Sequence, residues 1–198
     1  LAAEDAPEWA LVLEDDGILS DALPGFLEAF MAAARGVAAD IVQLEVHVRP
    51  VRVLPAVLTL ASAHRLAQFR STRHGTACYL ISKRAISILL ARKDLYRQPL
   101  DLTLFRPFAG PGRSIRSLLA DPGLAIQLDE SGSAAPEARS DIARQRFAAT
   151  WPGRRRIGRI LMAMANLADH ALHLSRGLRS KIVPFDGDLA PPAVPRTR

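Results

Sequence analysis

The chain has a single cysteine, Cys78, so it can form no internal disulfide and holds no thiol cluster for zinc. Aromatic residues make up 6% of its 198 positions. None is interleaved with Lys or Arg in a recognised nucleic-acid motif, which makes a basic nucleic-acid-binding module the weakest of the functional readings. There is no run of eighteen apolar residues, so no membrane-spanning helix is expected. Leu1 to Glu8 is acidic and lacks a basic segment followed by an apolar stretch, so no secretory leader is read there and a cytoplasmic location is the default expectation. Internal repeats are not found. The remaining composition, 49% hydrophobic and 23% charged, is that of a globular domain rather than a disordered chain.

Charge is distributed unevenly. Residues 1–150 carry 17 basic and 17 acidic side chains, whereas residues 151–198 carry 9 basic and 3 acidic. The whole excess of +6 therefore falls in the last quarter. A neutral body with a basic tail suggests an anionic partner for the tail: membrane lipid, lipopolysaccharide phosphate or nucleic acid.

Trp9 to Leu13 is a short apolar run followed at once by Glu14-Asp15-Asp16-Gly17. Such a run predicts a strand buried on both faces, as in a parallel sheet, with the carboxylates at its C-terminal end. Ser20-Asp21 offers a helix N-cap, Pro24 fits a first turn, and Leu23, Phe26, Leu27 and Phe30 fall on one helical face. A second strand is predicted over Asp40 to Val46, edge strands or a crossing loop over Val51 to Ala63, and another strand over Leu66 to Arg70. Gly75 to Ser82 reads as a glycine turn feeding a buried strand. Ser82 then caps a helix over Lys83 to Ala91, with Ile86, Leu89 and Leu90 inward. Pro99 to Phe105 begins a further short element, and Leu124 to Gln127 is a short apolar segment. The alternation of strands and helices predicts an α/β domain over residues 1–150. Residues 151–183 form a basic amphipathic helical tail that opens on Arg154-Arg155-Arg156. Residues 184–198, with four prolines, form a disordered end.

Three of these segments, in this order, resemble glycosyltransferase family 25, enzymes of lipopolysaccharide assembly. They are Leu11-Val12-Leu13-Glu14-Asp15-Asp16, then Gly75-Thr76-Ala77-Cys78-Tyr79-Leu80-Ile81-Ser82 with Ala85, then Pro99-Leu100-Asp101. Gln127 and Ser131 also fall where the family often has such residues, so the likeness spans roughly residues 9 to 131. It implies a GT-A-like, Rossmann-like mixed sheet with flanking helices, here followed by the C-terminal amphipathic helix. It further implies a UDP-sugar donor carrying galactose or glucose, a lipid-linked glycan acceptor, and a divalent metal, Mn²⁺ or Mg²⁺. Members usually carry several tens of residues before the acidic triplet, so the chain is expected to be N-terminally incomplete.

Sugar transfer from a nucleoside diphosphate needs a cation to offset the charge on the departing diphosphate and a base for the acceptor hydroxyl. Hard divalent ions bind through one or two carboxylates plus substrate phosphates. If Glu14 to Asp16 continue the strand, Glu14 and Asp16 point to one side and Asp15 to the other. Asp16 is then the first candidate metal ligand, with Glu14 beside it or holding its waters. Asp15 and Glu14 are candidate contacts to the ribose or sugar. The competing reading of the triplet is a solvated acidic turn. Asp101 is the candidate general base, and the alternative for it is a helix cap. His47, His64 and His74 lack metal-ligand spacing, although His74 has a place near the site in the family's context. Tyr79 and Cys78 are read as core residues, the latter an inert buried thiol. The tail helix either packs on the domain or attaches the protein peripherally to the inner membrane. The alternatives to an active transferase are a non-catalytic truncated remnant and, behind it, the nucleic-acid module.

Overall fold

The computed structural model describes residues 8–93, 99–108, 110–128 and 155–187. Strands β1 (Trp9–Leu13), β3 (Ile41–Gln43), β4 (Val51–Thr59), β5 (Arg65–Phe69), β6 (Cys78–Ser82), β7 (Ser117–Asp121) and β9 (Arg179–Lys181) form one seven-stranded sheet in the order β1-β6-β3-β7-β5-β4-β9. A two-stranded ribbon joins β2 (Gly17–Leu19) to β8 (Ala125–Gln127). The helices are α1 (Leu23–Ala33), α2 (Lys83–Leu90), α3 (Leu100–Leu104) and α4 (Arg155–Leu174). The fold is therefore α/β, with a mixed, mainly antiparallel sheet in which, among the described residues, only β3 and β7 pair in parallel.

The buried strands supply apolar side chains to both faces of the sheet, because successive residues point to opposite sides. Val42, Cys78, Leu80, Leu118 and Ala120 meet Leu23, Phe26 and Phe30 of α1 on one face. Ile41, Tyr79, Ile81 and Leu119 meet Ala85 and Leu89 of α2 and Leu104 and Phe105 of the α3 segment on the other. Phe26 and Phe30 stack with ring centroids 6.1 Å apart, and Trp9 meets Phe30 edge-on at 4.9 Å. The fully buried Phe26 and Phe30 rings each contribute about 2–3 kcal/mol by burial.

Several local expectations hold for local reasons. The Ser82 hydroxyl accepts the Ala85 N–H at 3.1 Å and starts α2. Leu23, Phe26 and Phe30 are the buried face of α1, although Ala22 occupies the cap position and the Ser20 hydroxyl instead accepts the Ala22 N–H at 3.0 Å.

Others are corrected by the tertiary structure. β1 is an edge strand, half-buried and antiparallel to β6, not a doubly covered parallel strand. The second strand is limited to Ile41–Gln43. Residues 51–59 form a continuous strand despite Pro55. Its β9 ladder stops at Val53, and its β5 register shifts between Val53 and Ala56, so the missing proline N–H falls at an irregularity. Leu90 is exposed, and Ala85 takes the inward position in its place.

Two strands carry little sequence signal. β7 is buried throughout and shows no alternation. β9 is the polar triplet Arg179-Ser180-Lys181, which becomes a strand by pairing with Val51–Val53. Between α4 and β9 the chain turns at Gly177, whose φ of +79° favours glycine. Beyond β9, the Gly123 N–H donates to the Pro184 carbonyl at 2.9 Å and the Asp186 N–H to the Gly123 carbonyl at 2.8 Å. The loop at Ser131 and the residues after 187 lie outside the described residues.

Candidate functional site

β1 and β3 both run antiparallel to β6, so they share a direction and end on the same edge of the sheet, where β6 begins. The acidic triplet lies at this edge, but not as a strand extension. β1 stops at Leu13, and Glu14 to Gly17 form a turn leading into β2. The Glu14 N–H donates to the Ala77 carbonyl at 2.9 Å, and the Leu128 N–H donates to the Asp16 carbonyl at 3.0 Å. Turn geometry, not strand alternation, therefore sets the three carboxylates. Glu14 and Asp15 are exposed, whereas Asp16 is half-buried.

The Glu14 carboxylate is held by neutral donors from two distant segments. The Thr76 hydroxyl donates to Oε1, and the Gln127 amide donates to Oε2 at 3.3 Å. Asp16 Oδ1 is buried and has no hydrogen-bond partner among the described residues. A buried carboxylate oxygen without a donor is costly unless a cation or donor meets it. Of the triplet's carboxylate oxygens, Asp16 Oδ1 is the one so placed, and a hard cation prefers oxygen ligands of this kind. Among the described residues, no group of three or more His, Cys, Asp or Glu side chains is gathered closely enough to hold a metal ion by itself.

Asp101 lies in the first turn of α3 and is buried. It is not the cap, a position held by Pro99. Its Oδ1 accepts the Leu102 N–H at 2.7 Å, and its Oδ2 lies 3.1 Å from His74 Nδ1. The His74 side chain is 60% exposed and that of Asp101 only 9%. His74 is thus the solvent-facing end of an Asp–His pair, and Asp101 joins the edge through it.

A fifth carboxylate, Glu45, lies two residues beyond β3. Its side chain is fully buried. Oε2 accepts the Ala77 N–H at 2.9 Å, and Oε1 lies 3.6 Å from His47 Nε2. The Gly75 backbone, at φ +82°, passes directly over this carboxylate, and a Cβ at Gly75 would run into it. The signal for Glu45 was the pair Gln43 and Glu45 at i, i+2 in an apolar run, which places two polar side chains on one face of a buried segment. Arg73 bridges the two residues, its Nε donating to the Gln43 side-chain amide oxygen and its Nη2 to the Glu45 backbone carbonyl at 3.0 Å.

These charges act on their neighbours. Burial, and then the Glu45 carboxylate, push the Cys78 thiol up to about 12. Burial, and then Glu14, raise Tyr79 above its ordinary value. Both are core residues, as expected: Cys78 is fully buried, and Tyr79 packs edge-on against Phe105 at 5.8 Å. A cavity of about 370 Å³, lined in part by His47, Arg49, Thr72, Arg73 and His74, adjoins the Glu45 and Asp101 pairs. A larger one, about 540 Å³, lies at the start of β3 and β7 among Asp40, Arg84, Arg113 and Arg116, away from these carboxylates.

The chain matches no protein-family model and no curated protein.

Proposed function

We propose that the chain carries a GT-A-like glycosyltransferase site. It transfers a hexose, galactose or glucose, from a UDP-sugar to a hydroxyl of a surface-glycan acceptor such as lipopolysaccharide. One observation supports this above the others: the segments that resemble family 25 are far apart in the chain and meet at one sheet edge. Thr76 and Gln127 hold Glu14, the Glu14 N–H bonds Ala77, and His74, next to Gly75, holds Asp101.

In this reading Asp16 and Glu14 would hold Mn²⁺ or Mg²⁺, which would supply positive charge to offset that on the departing diphosphate. Asp15, exposed at the turn, faces the ribose or sugar together with the outer edge of Glu14. The acceptor oxygen forms a bond to the sugar's anomeric carbon as the bond from that carbon to the diphosphate oxygen breaks. The acceptor proton passes to the Asp101–His74 pair, which presents its exposed end to the acceptor. The basic cavity beside His47 and His74 suits an anionic part of the acceptor.

A non-catalytic remnant is the second reading, favoured by the absence of a three-ligand group among the described residues. UDP release from UDP-galactose and UDP-glucose in the presence of Mn²⁺ and a lipopolysaccharide acceptor separates the two. Release lost in Asp16→Asn and Asp101→Asn supports the enzyme. No release with either sugar supports the remnant.

A further inference from the structure

Helix α4 is oriented against the usual rule that an amphipathic helix buries its apolar stripe. Its inward contacts are polar. Asn166 accepts from Arg52, Asp169 is buried against Arg70 through both carboxylate oxygens, and His173 is buried with Nδ1 2.9 Å from the Asp169 carbonyl. Asn166, Asp169 and His173 recur at helical spacing and mark one face. The opposite face presents Ile160, Leu161, Met164, Leu167 and Leu172 to solvent, each between 55% and 69% exposed. At 3.6 residues per turn these five span roughly two fifths of the helix circumference, along a helix about 30 Å long. No helix among the described residues is long and apolar enough to cross a membrane.

The charge around this stripe favours one occupant. Residues 155–187 contain six basic residues and two acidic ones. Both acids are engaged by the body of the protein, Asp169 with Arg70 and Asp186 with His64 at 2.9 Å. Lys181 is drawn to an acid of the body, Asp121. Arg155, Arg156 and Arg159 occupy the first turns of the helix, and Arg176 and Arg179 are exposed beyond its end. A second copy laid along the stripe, parallel or antiparallel, would bring the arginine-rich helix ends against each other. An anionic lipid surface meets the same pattern with opposite charge.

We infer that α4 is an in-plane membrane anchor: its exposed apolar face enters the interface of an anionic bilayer, and the arginines at its two ends bind the headgroups. This inference stands independently of the transferase reading. Leu161 and Leu167 are exposed and make no core contact, so altering them leaves the fold intact.

The full chain is mixed with vesicles of phosphatidylcholine, with and without one third phosphatidylglycerol, and co-sedimentation is measured alongside the Leu161→Asp/Leu167→Asp variant. Circular dichroism checks that the variant is folded, and gel filtration gives the mass of both proteins. The expected result is binding to the phosphatidylglycerol vesicles, weakened by added salt and lowered in the variant by roughly a hundredfold. Equal binding by the variant would overturn the inference. So would a failure to bind the anionic vesicles, whether the protein runs as a monomer or as a dimer that the variant splits. In the dimer case the occupant is a second copy.

Discussion

Gly75→Ala tests how the candidate site is built. The wild-type backbone sits at φ +82°, where an L-residue with a Cβ is disfavoured by about 1–2 kcal/mol. An ideal Cβ would also lie 2.7 Å from Glu45 Oε2 and 2.8 Å from its carboxyl carbon. Glu45 is fully buried, so it cannot swing into solvent, and its Oε2 is the acceptor for the Ala77 N–H. Displacing it leaves a buried donor unpaired, at about 1–3 kcal/mol. Together the substitution costs about 2–5 kcal/mol. Urea unfolding followed by circular dichroism measures it. With a slope of about 2–3 kcal/mol per molar for a domain of this size, the midpoint falls by about 1–2 M. A Gly75→Ala midpoint within about 0.2 M of wild type would refute the packing of the 74–77 turn on Glu45. Gly25→Ala is the internal comparison: it lies inside α1, meets nothing within 4 Å, and should raise stability by about 0.5–1 kcal/mol.

Other outcomes follow from the same contacts. Asp169→Ala leaves Arg70 without its bidentate partner and should destabilise the docking of α4 by about 3 kcal/mol; faster proteolysis within residues 155–174, with the sheet core resistant, is the readout. The Cys78 thiol, raised to about 12 by burial, should resist thiol reagents at pH 8 in the folded protein and react at once in urea; rapid labelling of the native chain would contradict its placement. Because that folded value exceeds the unfolded one, the associated stability is complete below about pH 9 and is lost as pH rises toward 12, so unfolding midpoints measured across that window should fall less steeply in Cys78→Ala. Asp101→Asn should lower hexose transfer by a hundredfold or more, on the order of the contribution of a general base, with UDP binding unchanged; His74→Ala should lower it less, and full activity in both variants would remove the pair from the reaction.

What was legible in the sequence was what is decided locally. The α1 stripe of Leu23, Phe26 and Phe30, the Ser82 cap and the buried Cys78–Ser82 strand depend on neighbours within a few residues. β7 escaped because its burial on both faces erases alternation and its parallel partner β3 lies far earlier in the chain. β9 escaped because a polar triplet becomes a strand only when an open edge, here Val51–Val53, is offered to it. The periodicity of α4 was readable, but its direction was not. Which face turns inward depends on Arg52 and Arg70, which belong to the sheet and offer partners to Asn166 and Asp169. At the carboxylate edge, Glu14, Asp15, Asp16 and Asp101 stood out as residue types at strand or helix ends. The turn that orients the triplet, the Asp101–His74 pair and buried Glu45 did not, because each is fixed by a contact across the fold.

The most direct test of the central claim is calorimetric titration of UDP into the chain with and without Mn²⁺, repeated with Asp16→Asn. The account predicts UDP binding that appears only with Mn²⁺ and is lost in the variant. Absence of binding in both conditions, or binding indifferent to Mn²⁺ and to Asp16→Asn, would contradict it.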